Sequence, residues 1–152
     1  MTTFTENTSS SSPSLELCIR ISRAYAAQTR RLDNSLSNLH GLSFNDFLLL
    51  YHLQRAPGSR LRRIDLADKL GLTASGVTRC LLPLEKIGLV ERQADPRDAR
   101  VAYASLSEAG LALLLNAMST AESASMDLMQ TLPAEQIDLL SLQLGLLAGL
   151  SN

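Results

Sequence analysis

Most of the chain shows the three- and four-residue spacing of apolar positions that is typical of amphipathic helices. This spacing predicts six helices, at 15–39, 44–55, 64–70, 74–87, 107–129 and 133–150. Two further segments, 89–93 and 101–106, alternate apolar and polar residues, which predicts a β-hairpin with a charged tip at 94–100. One more short strand is predicted around Leu61. The pattern therefore predicts a mainly α fold with a small β-hairpin (α+β).

Capping residues mark several of the predicted helix ends. Ser43 and Asp46 have the spacing of a capping box at the start of the second helix. Thr73 is predicted to cap the fourth helix, and Gly88 to end it in a left-handed conformation. Pro133 is predicted at the first position of the last helix.

The fourth helix has two chemically different faces. Its apolar stripe consists of Val77, Leu81 (or Cys80), Leu84 and Ile87. Its other face carries hydroxyls and cations, namely Ser75, Thr78, Arg79 and Lys86. Pro83 lies inside this helix and removes an N–H that would bond to the Arg79 carbonyl, so we predict a kink or a tightened turn between Arg79 and Leu84.

The third and fourth helices, joined by a tight turn, predict a helix-turn-helix, and the hairpin that follows them predicts a wing.

The formal net charge of −1 argues against a protein that coats nucleic acid non-specifically. However, residues 60–100 hold nine Lys and Arg against six Asp and Glu, a net +3, while the rest of the chain is −4. We interpret the basic middle as a surface for a polyanion and the acidic, leucine-rich tail as a surface for burial.

The two ends of the chain differ from its middle. Residues 1–13 are rich in Ser and Thr, and we predict that they form a disordered N-terminal arm. The last helix is apolar on most of its surface, so we expect it to pack between subunits. We therefore expect a single domain over 14–152, with dimerisation helices at 14–42 and 107–152 and a winged helix-turn-helix lobe at 43–106.

Two motifs carry a resemblance to a known family. One is the junction Leu84–Arg92 (LEKIGLVER), and the other is the hairpin tip Asp95–Arg100 (DPRDAR). Together with the order of the elements, they resemble the MarR (multiple-antibiotic-resistance regulator) family of winged helix-turn-helix transcriptional regulators. The resemblance covers roughly residues 15–150.

The resemblance implies a homodimer that binds a palindromic operator in double-stranded DNA and acts as a repressor. It also implies that a small aromatic or phenolic effector, or an oxidant, releases the protein from the DNA. It implies that the fourth helix enters the major groove, where the candidate contacts are Thr73, Ser75, Thr78 and Arg79. Arginine suits the paired acceptors of guanine, and hydroxyls suit bases or phosphates. The wing arginines, Arg97 and Arg100, would reach phosphates or the minor groove, and Asp95 and Asp98 would brace them.

Other residues are weaker candidates. Tyr25, Arg30, Tyr51 and His52 are candidates to line an effector pocket. Cys18 resembles the reactive cysteine in an oxidation-sensing branch of the family. Since the tyrosines that hydrogen-bond that thiolate are not evident here, we interpret Cys18 as a buried structural cysteine, with a redox role as the alternative. We predict that Cys80 belongs to the core.

The sequence shows no pattern that indicates an enzyme, a metal site or a cofactor, because it lacks a glycine loop for phosphate, a nucleophile–base pair and clustered metal ligands. No apolar run is long enough to span a membrane, and we expect a cytoplasmic protein that lies at the nucleoid when bound to DNA. The alternative function is a winged-helix protein-interaction module that dimerises without binding DNA. The near-neutral charge and Pro83 are the features that favour it.

Overall fold

The computed structural model describes residues 11–150, and it contains the six predicted helices and the predicted hairpin. The helices are α1 (Pro13–His40), α2 (Phe44–Arg55), α3 (Arg63–Leu70), α4 (Ala74–Lys86), α5 (Glu108–Met129) and α6 (Ala134–Leu147). The strands are β1 (Arg60–Arg62), β2 (Val90–Ala94) and β3 (Ala102–Leu106). Most of the predicted N-terminal arm lies outside the described residues.

Side-chain caps set where the helices begin. The Ser43 hydroxyl accepts from the Asp46 N–H at 3.0 Å, and the Asp46 carboxylate accepts from the Ser43 N–H at 3.1 Å, which confirms the capping box. Thr73 caps α4 by accepting from the Gly76 N–H at 3.1 Å, also as predicted. The prediction for α6 was wrong by one residue, because Pro133 is its N-cap and not its first helical residue.

The three strands form one antiparallel sheet in the order β1-β3-β2. In its register Tyr103 of β3 lies between Arg62 of β1 and Gln93 of β2. The hairpin β2–β3 is the predicted wing, and β1 joins it to the chain segment that precedes α3. The sheet therefore holds the wing at a defined position next to the helix-turn-helix.

One continuous hydrophobic core underlies both the long helices and the helix-turn-helix. Its fully buried members come from all five helices α1 to α5, among them Leu32, Leu36, Leu50, Leu53, Leu66, Val77, Leu81 and Leu114. Because these side chains pack against one another across element boundaries, a movement of α1 or α5 is transmitted to α3 and α4 through close-packed contacts. α4 runs through Pro83 as one unbroken helix, while the predicted kink remains a prediction.

Several residues predicted to face the core do not do so within one chain. Ile87 is 66% exposed, because the helix ends before it and the chain turns at Gly88. The helical spacing of apolar residues in α1 also predicts Leu15, Tyr25 and Leu39 on its buried stripe, yet they are exposed. In α2 the same spacing predicts a stripe of Phe44, Phe47, Leu48 and Tyr51. The two phenylalanines are buried, but Leu48 and Tyr51 are half-buried, and the other buried positions are Leu49, Leu50 and Leu53.

α6 carries the largest group of exposed apolar side chains in the described part of the chain. None of its residues is buried within residues 11–150. Its exposed leucines are Leu139, Leu140, Leu142, Leu144, Leu146 and Leu147. Among the described residues, none of these helices is long and apolar enough to span a lipid bilayer.

Candidate nucleic-acid interface

The outward face of α4 carries the predicted polar residues. Ser75 and Arg79 are exposed, and Thr78 is half-buried beside them. On the opposite face Val77, Leu81 and Leu84 are buried. The core contacts of those three aliphatic side chains orient the helix, so that Ser75 and Arg79 point to solvent, where a ligand has access to them.

Two hydroxyls of this face also have structural partners. Thr73 Oγ1 accepts from the Gly76 N–H and lies 3.2 Å from the Ser75 hydroxyl. Thr78 Oγ1 donates to the Ala74 carbonyl and accepts from Arg63 Nη1, both at 3.2 Å. The proton and one acceptor position of the Thr78 hydroxyl are therefore already used inside the protein.

Sequence reasoning missed Arg63, which joins α3 to α4. Its guanidinium reaches Thr78 and, through Nη2, the Glu85 carboxylate at 3.3 Å. The two side chains of this ion pair are only 18% and 21% exposed, so water screens it less than a surface pair. The run of arginines at 60–63 was the available signal, but its spacing does not show that Arg63 turns inward.

The wing tip is organised by its two aspartates. The Asp95 carboxylate accepts from the Arg97 N–H at 2.7 Å. Asp98 accepts from the Arg100 backbone N–H at 3.0 Å and pairs with both Nε and Nη2 of the Arg100 side chain, at 3.0 and 3.1 Å. The Arg100 side chain still lies 91% exposed. The hydrogen bonds from Arg100 hold the pKa of Asp98 below its ordinary value.

Arg97 is the freer of the two wing arginines. Among the described residues its guanidinium has no hydrogen bond or ion-pair partner, whereas that of Arg100 pairs with Asp98. Both side chains are exposed on the hairpin tip. Within residues 11–150, the tip therefore presents one unpaired cation and one cation whose direction is fixed by a carboxylate.

Cations also lie along β1, at the base of the wing. The Arg60 guanidinium stacks over the Tyr103 ring at 4.7 Å from its centroid. Arg62 pairs with Asp65 at 2.7 Å, and its hydrogen bonds lower the pKa of that carboxyl group. The positive charge predicted for the middle of the chain is thus spread over α4, the wing and β1.

The four predicted pocket residues do not come together. Tyr51 lines a cavity of about 420 Å³ between α2 and α5, with Phe47, Met118, Ala121, Glu122, Ser125 and Met126. His52 contacts the Tyr51 ring edge-on. The pKa of His52 is lowered, mainly by burial and to a smaller extent by the positive charge of Lys69. Tyr25, Arg30 and His52 do not line the cavity, and both Tyr25 and Arg30 are exposed on α1. Helical spacing placed these residues on faces but did not show which faces meet.

The prediction for Cys18 is wrong, whereas the core position predicted for Cys80 is confirmed, with the side chain partly buried. Cys18 is exposed within the chain, so the interpretation as a buried cysteine is wrong at this level of assembly. The first half of α1 extends beyond the core, and its apolar stripe has little to cover it. Cys80 packs against the core, where its sulfur accepts from the Asn45 amide at 3.3 Å and burial raises the pKa of its thiol.

Comparison with known proteins agrees with this architecture. A model of the MarR family matches residues 40–101. The HTH-type transcriptional regulator MhqR of Bacillus subtilis (strain 168) is 34% identical over 101 residues, which cover 66% of this chain and 68% of MhqR.

Solved structures of similar proteins cover nearly the whole chain. The MarR family transcriptional regulator Sco3205 from Streptomyces coelicolor, crystallised in complex with DNA, superimposes with a TM-score of 0.81 at 27% identity, covering 94% of this chain and 95% of that one. The transcriptional regulator BldR from Sulfolobus solfataricus gives a TM-score of 0.77 at 25% identity, covering 88% and 94% of the two chains. From its fold, its wing motif and its likeness to MhqR, this chain belongs to the MarR family of transcriptional regulators.

Proposed function

We propose that this protein is a sequence-specific DNA-binding repressor that binds a palindromic operator as a homodimer. The observation that carries the proposal is the exposed hydroxyl-and-arginine face of α4 beside a wing whose tip presents Arg97 and Arg100. The similar regulator Sco3205 was crystallised with DNA, which supports the same use of this fold here.

In this proposal the exposed face of α4 contacts the major groove. Arg79 donates to the paired acceptors of a guanine, and Ser75 donates to a base or a phosphate. Because the Thr78 hydroxyl is already bonded to Arg63 and Ala74, Thr78 contacts the DNA mainly through its methyl group. Thr73 contacts the DNA at the start of the helix, where the free N–H groups favour a phosphate.

The wing contacts are of a different kind. Arg97, without a partner among the described residues, lies along the minor groove of the DNA, which has a strongly negative potential where it is narrow. Arg100 keeps its direction through Asp98 and reaches phosphates or the minor groove edge. Asp95 shapes the turn from which Arg97 projects.

The homodimer places two such faces on the two half-sites. An apolar groove of about 510 Å³ lies between the first half of α1 and α6, and it is lined by residues that include Leu17, Ile21, Ile137, Leu140 and Leu144. With the exposed leucines of α6 it forms a surface too apolar to leave in water. Size-exclusion chromatography with light scattering should give about twice the chain mass of 16.5 kDa, and a monomer at micromolar concentration would contradict the dimer.

The effector, in the same proposal, binds the cavity beside Tyr51. Its lining is mostly apolar, and its acidic member is Glu122. A neutral phenolic or other small aromatic compound therefore suits it better than a free acid, whose charge Glu122 would repel. Since the cavity lies between α2 and α5, a ligand there shifts the orientation of the long helices relative to α4.

DNA binding is tested with a gel shift against the DNA upstream of the coding sequence, with and without competitor DNA. Binding should fall steeply with salt, as expected when several phosphates are neutralised. Arg97→Ala with Arg100→Ala removes up to four cations from the dimer, so the negative slope of log K against log salt should become shallower by up to about 3.6. Arg79→Ala should also relax the base preference.

A matched control separates wing contacts from net charge. Arg23 and Arg30 are also exposed, but they lie on α1. Their double alanine variant carries the same charge as the wing variant. Because α1 belongs to the proposed dimer surface, light scattering first checks that this variant is a dimer, and the dimer should then bind DNA as the wild type does. If the wing variant also binds as the wild type does, the wing assignment is wrong. Dimerisation without binding to any DNA would support the protein-interaction module instead.

A further inference from the structure

We propose that Leu82 reads the 5-methyl group of a thymine in the operator, as a specificity-determining residue on α4. The proposal rests on the DNA-binding function above. It adds an apolar contact to a face that is otherwise formed by hydroxyls and cations. Leu82 is 54% exposed in the described structure, although it lies in the middle of a helix whose other leucines, Leu81 and Leu84, are buried.

The position of Leu82 around the helix axis is the first argument. At about 100° per residue, Leu82 lies within about 60° of Ser75, Thr78 and Arg79. It lies about 100–160° around the axis from the buried residues Val77, Leu81 and Leu84. Any surface that contacts both Ser75 and Arg79 therefore covers Leu82 as well.

Its position along the axis is the second argument. Leu82 is three residues beyond Arg79, or about 4.5 Å further along the helix, which is close to the spacing of one base pair, about 3.4 Å. Ser75, Arg79 and Leu82 thus form a row that spans neighbouring base pairs. Pro83 follows directly, yet α4 continues through it to Lys86, so the row does not leave the helix.

The chemistry selects the base. In the major groove, thymine presents a 5-methyl group beside its O4 acceptor, whereas the edges of adenine, guanine and cytosine present hydrogen-bond donors and acceptors without a methyl group. An isobutyl side chain has no hydrogen bond to offer, so it would leave a donor or acceptor of another base without a partner. Burying a methyl group against it is worth about fourfold in affinity per half-site.

The test replaces thymine by deoxyuridine, which removes the methyl group and leaves the base pair intact. A palindrome is first selected from a random DNA pool with the wild-type protein. Thymines in that palindrome are then replaced one symmetric pair at a time, and binding is measured by fluorescence anisotropy. For the wild type, one symmetric pair should weaken binding about 15-fold, since two half-sites lose a methyl contact.

Leu82→Ala and Ile87→Ala complete the test as a matched pair. Both change an exposed aliphatic residue, but Ile87 follows the last residue of α4 and lies about 140° around the helix axis from Leu82. In Leu82→Ala the penalty for deoxyuridine should disappear, while in Ile87→Ala it should persist. Thermal unfolding of both variants checks that the fold is retained.

Two results would overturn the inference while DNA binding stands. One is a selected palindrome in which no thymine pair is sensitive to deoxyuridine. The other is that every sensitive pair keeps its full penalty in Leu82→Ala, as it does in the wild type. Failure of the wild type to enrich any sequence would instead refute the proposed function, and with it the premise of this contact.

Discussion

Replacing Gly110 by alanine tests how the wing is joined to α5. Gly110 is buried in the first turn of α5, and a Cβ atom there would lie 2.0 Å from the Leu89 carbonyl oxygen and 2.8 Å from Leu106 Cδ1. The carbonyl cannot move away freely, because it accepts from the Ser107 N–H at 3.1 Å. Glycine is therefore required at this position by the close approach of the backbone at the base of the wing.

The expected loss follows from opposing contributions. Overpacking costs about 1–3 kcal/mol, and weakening the Ser107–Leu89 hydrogen bond costs about 1 kcal/mol. Alanine gains about 1 kcal/mol in helix propensity. We therefore expect Gly110→Ala to lower the free energy of unfolding by about 2 kcal/mol, which shifts the Tm downward by about 4–8 °C.

Gly76→Ala is the matched control, measured by urea and thermal unfolding at one protein concentration. Gly76 is also buried and in the third position of its helix, and its N–H also donates to the N-cap hydroxyl, that of Thr73. Its Cβ would meet nothing closer than the Thr73 hydroxyl at 3.2 Å, so the change should stay within about 1 kcal/mol. Equal stability of the two variants would refute the argument from the Leu89 carbonyl.

Three further predictions concern ionisable groups. In a double-mutant cycle of Arg63→Met and Glu85→Gln, the free energies of unfolding should show a coupling of about 1 kcal/mol, because this ion pair is intermediate between an exposed and a buried salt bridge. A coupling energy near zero would contradict the link between α3 and α4. Arg100→Ala should raise the pKa of Asp98 toward the ordinary carboxyl value of about 3.9, as followed by carboxyl-carbon NMR, because the variant removes the side-chain hydrogen bonds that contribute most to the lowered pKa. In the wild type, the stabilisation from the Asp98–Arg100 pair is complete above the ordinary carboxyl pKa and is lost as the pH falls through the lowered pKa of Asp98. An unchanged pKa of Asp98 in the variant would count against the proposal that Asp98 braces Arg100. Cys80 should react with a thiol reagent at pH 8 more slowly than free cysteine, because burial raises the pKa of its thiol, and labelling at the free-cysteine rate would show that the site is open.

Local sequence signals predicted most of the fold because they act over three or four residues. Thr73 caps α4 wherever that helix is placed, and Ser43 with Asp46 closes a capping box without help from distant residues. The wing tip is equally local, since Asp98 and Arg100 are two residues apart. These features follow from short-range hydrogen bonding and needed no knowledge of the tertiary structure.

Side-chain environments were harder to predict when they depend on distant segments. Arg63 looked like one more surface cation, and only the packing of α3 against α4 places it beside Thr78 and Glu85. Tyr25 and Tyr51 both had plausible spacing for a pocket, yet only Tyr51 lines the cavity between α2 and α5. Periodicity defines a face of a helix, but the partner of that face is decided by the long-range contacts of the fold.

The sequence by itself determined the helices, their caps, the hairpin and the two-faced character of α4, since each depends on neighbours along the chain. The tertiary structure alone decided that Cys18 and Ile87 are exposed, that Gly110 meets the Leu89 carbonyl, and that the Thr78 hydroxyl is already bonded. It also placed Leu82 among the outward residues of α4, because core packing turned Leu81 and Leu84 inward. The physical reason is that burial and backbone approach are properties of contacts between distant segments, which no local pattern contains.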